Sequence, residues 1–131
     1  MSDTRDQALT QERCVACRPD SPRATEQELR EWLPQIPEWH VIEREGVPQL
    51  TRTYKFKNFA DALHFTNKVG EIAEAEDHHP QIVTEWGAVI VRWWTHAIKG
   101  LHRNDFVMAA KSDALYAASQ GNRARQDDRH A

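Results

Sequence analysis

The alternation of apolar and polar side chains predicts a β-hairpin between residues 39 and 56. Leu50, Tyr54 and Phe56 alternate with polar residues, which is the period of two typical of a half-buried strand. Glu45 and Gly46, which favour a turn, separate this run from the preceding one. We therefore expect two antiparallel strands, Trp39–Arg44 and Leu50–Phe56.

A second hairpin is predicted from Gln81–Trp86 through a turn at Gly87 to Val89–His96. Successive side chains point to opposite faces of a strand, so the later strand divides into two sets. One face carries Val89, Val91, Trp93 and Thr95, and the other carries Ile90, Arg92, Trp94 and His96.

A long helix is predicted between the two hairpins. Asn58 is a typical N-cap residue, and the helical spacing of apolar side chains extends to about Glu76. The side chains at this spacing are Phe59, Leu63, Thr66, Val69 and Ile72 or Ala73. Gly70 inside the helix costs about 1 kcal/mol relative to alanine, and a close contact between helix and strand would account for it.

A short helix is predicted at the start of the ordered part of the chain. Thr25 and Glu28 form a capping box, and Pro34 stops the helix near Leu33. Residues 1–24 show little periodicity and are assigned to a flexible N-terminal arm.

The last helix is predicted to begin at an N-cap, Asn104 or Asp105, and to end near Gln120, before Gly121. Residues 25–121 then form one domain, followed by a flexible tail, residues 122–131. The element order is α-β-β-α-β-β-α. Such an order predicts an α+β fold with a four-stranded antiparallel sheet and helices packed on one face.

Composition narrows the possible functions. The chain has 131 residues, enough for one domain, and its formal charge of −3 lacks the basic excess expected for nucleic-acid binding. No apolar run is long enough to cross a bilayer, and residues 1–24 contain no apolar segment typical of a secretory signal. We therefore expect a cytoplasmic protein without nucleic-acid or membrane partners.

The chain's two cysteines, Cys14 and Cys17, form a C-x-x-C pair in the predicted arm. A structural zinc site needs four ligands, and no second pair completes one. A redox pair would be expected near a βαβ unit rather than in a polar leader. We interpret the pair as solvated or incidental.

The histidines carry the candidate chemistry. Asp77, His78 and His79 lie together, and Pro80 pushes His79 away from helical angles, so the pair begins the connection into the third strand. A hairpin returns the end of its second strand beside the beginning of its first. We therefore expect His96 to lie close to His78 and His79.

Three interpretations of this cluster remain open from the residues alone. The histidines could be surface or structural residues. With Glu74, Asp77 or Asp105 they could bind zinc or iron, although the spacing differs from the H-E-x-x-H pattern. They could also be metal-free general acids and bases, oriented by Asp77 or Glu74.

The sequence resembles the pterin-4a-carbinolamine dehydratase family over about residues 25–120. The matching features are Glu74–Pro80, Trp86, His96, Asp105, the Lys55–Phe59 run and the Gly100–Asp105 segment. The cysteine-containing arm and the Trp93–His96 segment are most similar to bacterial members that accompany phenylalanine hydroxylase.

The resemblance implies a homodimer or homotetramer of α+β subunits without metal or cofactor. The implied reaction removes water from 4a-hydroxytetrahydrobiopterin to give quinonoid dihydropterin, which recycles tetrahydrobiopterin after aromatic amino acid hydroxylation. His78, His79 and His96 match the catalytic histidines of the family. The positions implied to line the pterin are Asp77, His78, His79, Trp94, Thr95, His96 and Ala97.

Glu74 and Asp105 are candidates for orienting the histidines without contacting the substrate themselves. Glu74 lies one helical turn before His78, and Asp105 could be a helix cap, a pocket residue or both. A non-catalytic dimerisation or regulatory module on the same fold is the alternative function. The intact trio of histidines favours the enzyme, because a scaffold has no need for it.

Overall fold

The computed structural model describes residues 9–15 and 18–130, with side chains up to residue 120. Within these residues it contains three α-helices and four β-strands in the predicted order. The elements are α1 (Glu26–Trp32), β1 (His40–Arg44), β2 (Val47–Lys55), α2 (Phe59–Glu76), β3 (Gln81–Glu85), β4 (Ala88–Trp93) and α3 (Arg103–His130). None of the helices in the described part of the chain is long and apolar enough to cross a membrane.

The first hairpin is tighter than the sequence predicts. Glu45 and Gly46 both have positive φ angles, 53° and 79°, as a two-residue hairpin turn requires. Arg44 therefore pairs directly with Val47, and β2 begins three residues before the predicted Leu50.

The four strands form one antiparallel sheet in the order β1-β2-β4-β3, which confirms the predicted α+β fold. The inner face of β4 carries Val89, Val91 and Trp93, all fully buried. Leu50 of β2 lies opposite Trp93, so the central strands present one continuous apolar face. Helices α2 and α3 pack against this sheet and complete the core.

Helix α2 has the predicted cap and length, and Val69 and Ala73 of its predicted apolar face are buried, but the first half of that face is not. The Asn58 side chain accepts a hydrogen bond from the Asp61 N–H at 2.8 Å. The buried residues are Ala62, Phe65, Val69 and Ala73. Phe59 and Leu63, predicted to face the core, are 45% and 43% exposed, because the buried side of the helix runs through Ala62, Phe65, Val69 and Ala73 instead.

The last strand ends earlier than predicted, and the last helix both begins earlier and ends later than predicted. Strand β4 ends at Trp93, and His96 begins a 3₁₀ turn enclosed by a bridge between Thr95 and Gly100. Helix α3 begins at Arg103, before both predicted caps, and continues through Gly121 to His130. A single glycine costs a helix about 1 kcal/mol and does not by itself end it.

Part of the predicted N-terminal arm contacts the domain. Leu9 is 3% exposed, and Glu12 forms an ion pair with Arg103 of α3. The Ala24 N–H donates to the Leu101 carbonyl at 2.7 Å. A boundary at residue 25 and a flexible tail after residue 121 stay predictions, and Cys17 lies outside the described residues.

Candidate active site

The end of α2 shapes one side of a pocket. Asp77 adopts a left-handed conformation (φ 51°), and the His78 N–H donates to the Ala73 carbonyl at 3.1 Å, which closes the helix. The chain then turns toward β3. His78 and His79 reach a cavity of about 450 Å³, whose lining residues are Cys14, Val15, Glu76, Asp77, His78, His79, Thr95, His96 and Ala97.

His78 is the buried histidine of the pocket, with 8% of the residue exposed. Its ring is stacked on Trp93, with 5.9 Å between ring centroids and 11° between the planes. Its Nε2 lies 2.7 Å from Asp105 Oδ1. Because an ionised carboxylate only accepts hydrogen bonds, this contact places a proton on Nε2 and fixes the orientation of the ring.

Asp105 is a fully buried carboxylate that holds three partners. Besides His78, it accepts hydrogen bonds from Thr95 Oγ1 and from the His102 N–H, both at 2.9 Å from Oδ2. It lies in the first turn of α3, where the helix dipole favours negative charge. Asp105, which is not among the lining residues, therefore connects the start of α3 to His78 of the pocket.

His102 directly precedes α3, and its ring Nδ1 accepts a hydrogen bond from the Asn104 N–H at 3.1 Å. Burial lowers the pKa of His102 below its ordinary value of 6.5, and the nearby His78 lowers it further. The charges of Asp105 and Glu28 act in the opposite direction but are outweighed. The neutral ring, which can accept at Nδ1, is thus the favoured form.

His79 and His96 are the exposed histidines of the pocket. His79 Nε2 lies 3.2 Å from Glu74 Oε1, and both side chains are more than half exposed. His96 Nε2 donates to the backbone carbonyl of His79 at 3.3 Å. The second hairpin therefore brings His96 back to the His78-His79 pair, as the sequence predicts.

The structure distributes the other candidate residues around this trio. Asp77, Thr95 and Ala97 line the pocket. Trp94 lies beside it, with its ring centroid 4.5 Å from that of His96, and it is not among the lining residues. Glu74 lines the adjoining groove with His79, a cavity of about 790 Å³. Among the described residues, no three His, Cys, Asp or Glu side chains are grouped to hold a metal ion.

Three lining residues were missed by sequence reasoning: Cys14, Val15 and Glu76. The first two lie in the predicted arm, where no periodicity marks them, and their partners lie more than 60 residues away along the chain. The Glu76 side chain is 8% exposed. Burial would raise its pKa, but hydrogen bonds from the Cys14 N–H and Arg13 and the charges of Arg13 and Lys111 outweigh burial and lower it.

These features define an α+β protein with three histidines around one pocket. The sequence model of the family described as Pterin 4 alpha carbinolamine dehydratase matches residues 22–115. The chain belongs to this family. It is 60% identical over 109 residues to the "Putative pterin-4-alpha-carbinolamine dehydratase 1" of Gloeobacter violaceus, covering 83% of this chain and 94% of that protein.

Solved structures support the fold. The "transcriptional coactivator/pterin dehydratase" of Brucella melitensis superposes with a TM-score of 0.66 at 34% identity, over 72% of this chain and 99% of that chain. A "pterin dehydratase-like protein" described as a RuBisCO assembly factor in the alpha-carboxysome superposes with a TM-score of 0.52. It is 22% identical, over 60% of this chain and 89% of that chain, so it shows the fold alone.

Proposed function

We propose that the protein removes water from 4a-hydroxytetrahydrobiopterin by histidine general acid–base catalysis. His79 and His96 are the principal acid–base pair, and His78 binds and polarises the pterin. The single observation that carries the proposal is the convergence of these three histidines on one pocket in a chain of this family. Recycling of tetrahydrobiopterin after phenylalanine hydroxylation and a cytoplasmic location are part of the same proposal.

The different surroundings of the three rings support this division of roles. His79 and His96 are exposed, so each can exchange protons with solvent between turnovers. His78 is buried and bound to Asp105, which suits a fixed contact with the substrate. Asp77, Thr95 and Ala97 supply further pocket surface for the pterin.

The reaction needs two proton transfers. The hydroxyl on C4a leaves as water once it is protonated, and the hydrogen on N5 is removed to form the double bond. In a neutral His79 or His96 whose Nε2 carries the proton, Nδ1 is the accepting nitrogen. Imidazole can act either as the acid or as the base of such a reaction, so two histidines can supply both proton transfers.

The test follows the absorbance of the 4a-carbinolamine with and without the protein. We expect the protein to accelerate loss of the carbinolamine, and the variant His64→Ala, an exposed histidine of α2 outside the pocket, to do so equally. Equal rates with and without the protein would contradict the proposal. Turnover that requires an added metal ion would contradict the proposal that the mechanism needs no metal.

A second candidate is a non-catalytic dimerisation or regulatory module. Phe59 and Leu63 leave an apolar surface on α2, and Trp86 is 74% exposed at the second hairpin turn. Apolar surface of this kind is often covered by a partner. We propose a homodimer or homotetramer in either case, and light scattering of the purified protein measures the number of subunits.

A further inference from the structure

The segment Leu9–Val15 crosses the domain between α2 and α3 and ends at the pocket. Leu9 is buried in the core at one end of the segment. Lys111 Nζ donates to the Thr10 carbonyl at 2.9 Å, and Arg103 Nε donates to Glu12 Oε1 at 3.2 Å. These contacts attach the segment to α3 along its length.

Two buried side chains hold the end of the segment nearest the histidines. Asn104 accepts from the Val15 N–H at 3.0 Å and donates through Nδ2 to the Val15 carbonyl at 2.7 Å. Glu76 Oε1 accepts from the Cys14 N–H at 3.1 Å. Asn104 is 2% exposed, so its amide is committed to this backbone contact.

This end of the segment forms part of the pocket lining. Cys14 and Val15 line the cavity together with His78, His79 and His96. Val15 is 61% exposed and presents an apolar side chain at this cavity. Pockets for small molecules combine such apolar contacts with a few placed polar groups, and a flat pterin ring has two faces to cover.

We propose that Leu9–Val15 forms a wall of the substrate pocket, with Val15 in contact with the pterin ring and with Glu76 and Asn104 as positioning residues for that wall. This inference rests on the proposed function. In this arrangement His79 and His96 transfer protons, and the wall binds the substrate together with His78. The wall would contact the ring equally in the bound substrate and in the transition state. Its loss therefore raises KM and leaves kcat unchanged.

The test measures KM and kcat for the 4a-carbinolamine, and Kd for 7,8-dihydrobiopterin, in the variants Glu76→Ala and Val15→Ala. Each has a matched control: Glu71→Ala on the exposed face of α2, and Val41→Ala on β1. We expect KM and Kd to rise about tenfold for Glu76→Ala, mainly through loss of the hydrogen bond to the Cys14 N–H, because the Arg13 side chain that also pairs with Glu76 is 80% exposed. For Val15→Ala we expect about fivefold, the loss of about one buried methyl contact.

Hydrogen exchange supplies a readout independent of activity. We expect 7,8-dihydrobiopterin to slow exchange of the Cys14 and Val15 amides in the wild type, and Glu76→Ala to speed exchange at Cys14. Alanine is a good helix former, so the end of α2 is expected to persist in this variant.

The outcomes separate this inference from the proposed function. If the wild type turns over and both variants match their controls in KM and Kd, the wall is refuted and the dehydratase stands. The same holds if kcat falls while KM is unchanged. If the wild type binds dihydrobiopterin without turnover and the variants weaken binding, the wall stands and the reaction is refuted. If the wild type neither binds dihydrobiopterin nor turns over the carbinolamine, both the wall and the reaction are refuted.

Discussion

His78 and Asp105 show how one buried carboxylate can fix a site residue. The hydrogen-bond partner of a histidine decides which ring nitrogen carries the proton and helps to fix the orientation of the ring. Asp105 provides that partner, and its other oxygen is held by Thr95 and the His102 N–H. Both carboxylate oxygens of Asp105 are thus hydrogen-bonded to donors within the domain, so His78 is held in a fixed position at the pocket.

Asp105→Asn is expected to reduce the free energy of unfolding by about 1–3 kcal/mol, because an amide nitrogen would face one of the three donors that now bind the buried carboxylate. Urea unfolding measures the change. Glu26→Gln, an exposed residue in the first turn of α1, is the control and is expected to have little effect. Equal stability of Asp105→Asn and the wild type would contradict this account of the cluster.

At the scale of elements, Gly70 in α2 has no close neighbour among the residues that the structure describes. A Cβ atom built at this position meets no atom within 4 Å. The close contact with a strand that the sequence suggested is therefore absent among the described residues. The glycine lowers the stability of the helix through its backbone entropy, and no contact in the described part of the chain offsets this cost.

Gly70→Ala is expected to raise the free energy of unfolding by about 0.5–1 kcal/mol. The control is Gly46→Ala, at φ 79° in the first hairpin turn, which is expected to lower it by about 1 kcal/mol. Thermal or urea unfolding of the two variants under identical conditions measures both. A destabilised Gly70→Ala would indicate that this surface of α2 is covered by another subunit.

The start of α3 is expected to weaken in acid. The folded-state pKa of His102 lies below its ordinary value of 6.5, so this group's contribution to stability is complete above about pH 6.5. The contribution is lost as the pH falls through the lower folded-state pKa, because the protonated ring can no longer accept from the Asn104 N–H.

The measurement compares unfolding of the wild type and His102→Asn between about pH 8 and about pH 5, across the range in which histidine titrates. Asparagine keeps an acceptor before the helix without a titrating ring. We expect the wild type to lose stability relative to the variant as the pH falls. Parallel curves would contradict the role assigned to His102.

At the scale of the whole molecule, Asp113 joins the sheet, α3 and the segment before β1. Its Oδ1 accepts from Trp39 Nε1 at 3.0 Å, from the Tyr54 hydroxyl at 2.6 Å and from Arg52 Nη1 at 2.6 Å. Burial, and then the Asp113 charge, raise the pKa of Tyr54, which keeps the hydroxyl protonated as a donor. Arg52 also lies over the Tyr54 ring.

Asp113→Ala is expected to lower the free energy of unfolding by about 1–3 kcal/mol, because Tyr54, at 1% exposure, loses its acceptor. Asp113→Asn retains one oxygen acceptor and should cost less. Urea unfolding of both variants tests the order. If both match the wild type, Asp113 does not tie these elements together.

The sequence predicted those features that depend on local patterns. The α+β fold, the capping box at Thr25 and the return of His96 to His79 follow from periodicity, cap residues and hairpin geometry. Val69 and Ala73 of α2 were predicted correctly, but Phe59 and Leu63 were wrong because they have the same spacing as core residues. The contacts of Cys14 and Val15 join distant parts of the chain and leave no local pattern.

The central claim is that His79 and His96 transfer the protons. The most direct test is the steady-state kcat/KM of a double variant, His79→Ala with His96→Ala, with circular dichroism to verify the fold. We expect kcat/KM to fall by about 10²–10⁴-fold, the usual contribution of a positioned acid–base group. A folded double variant with full activity would contradict the claim.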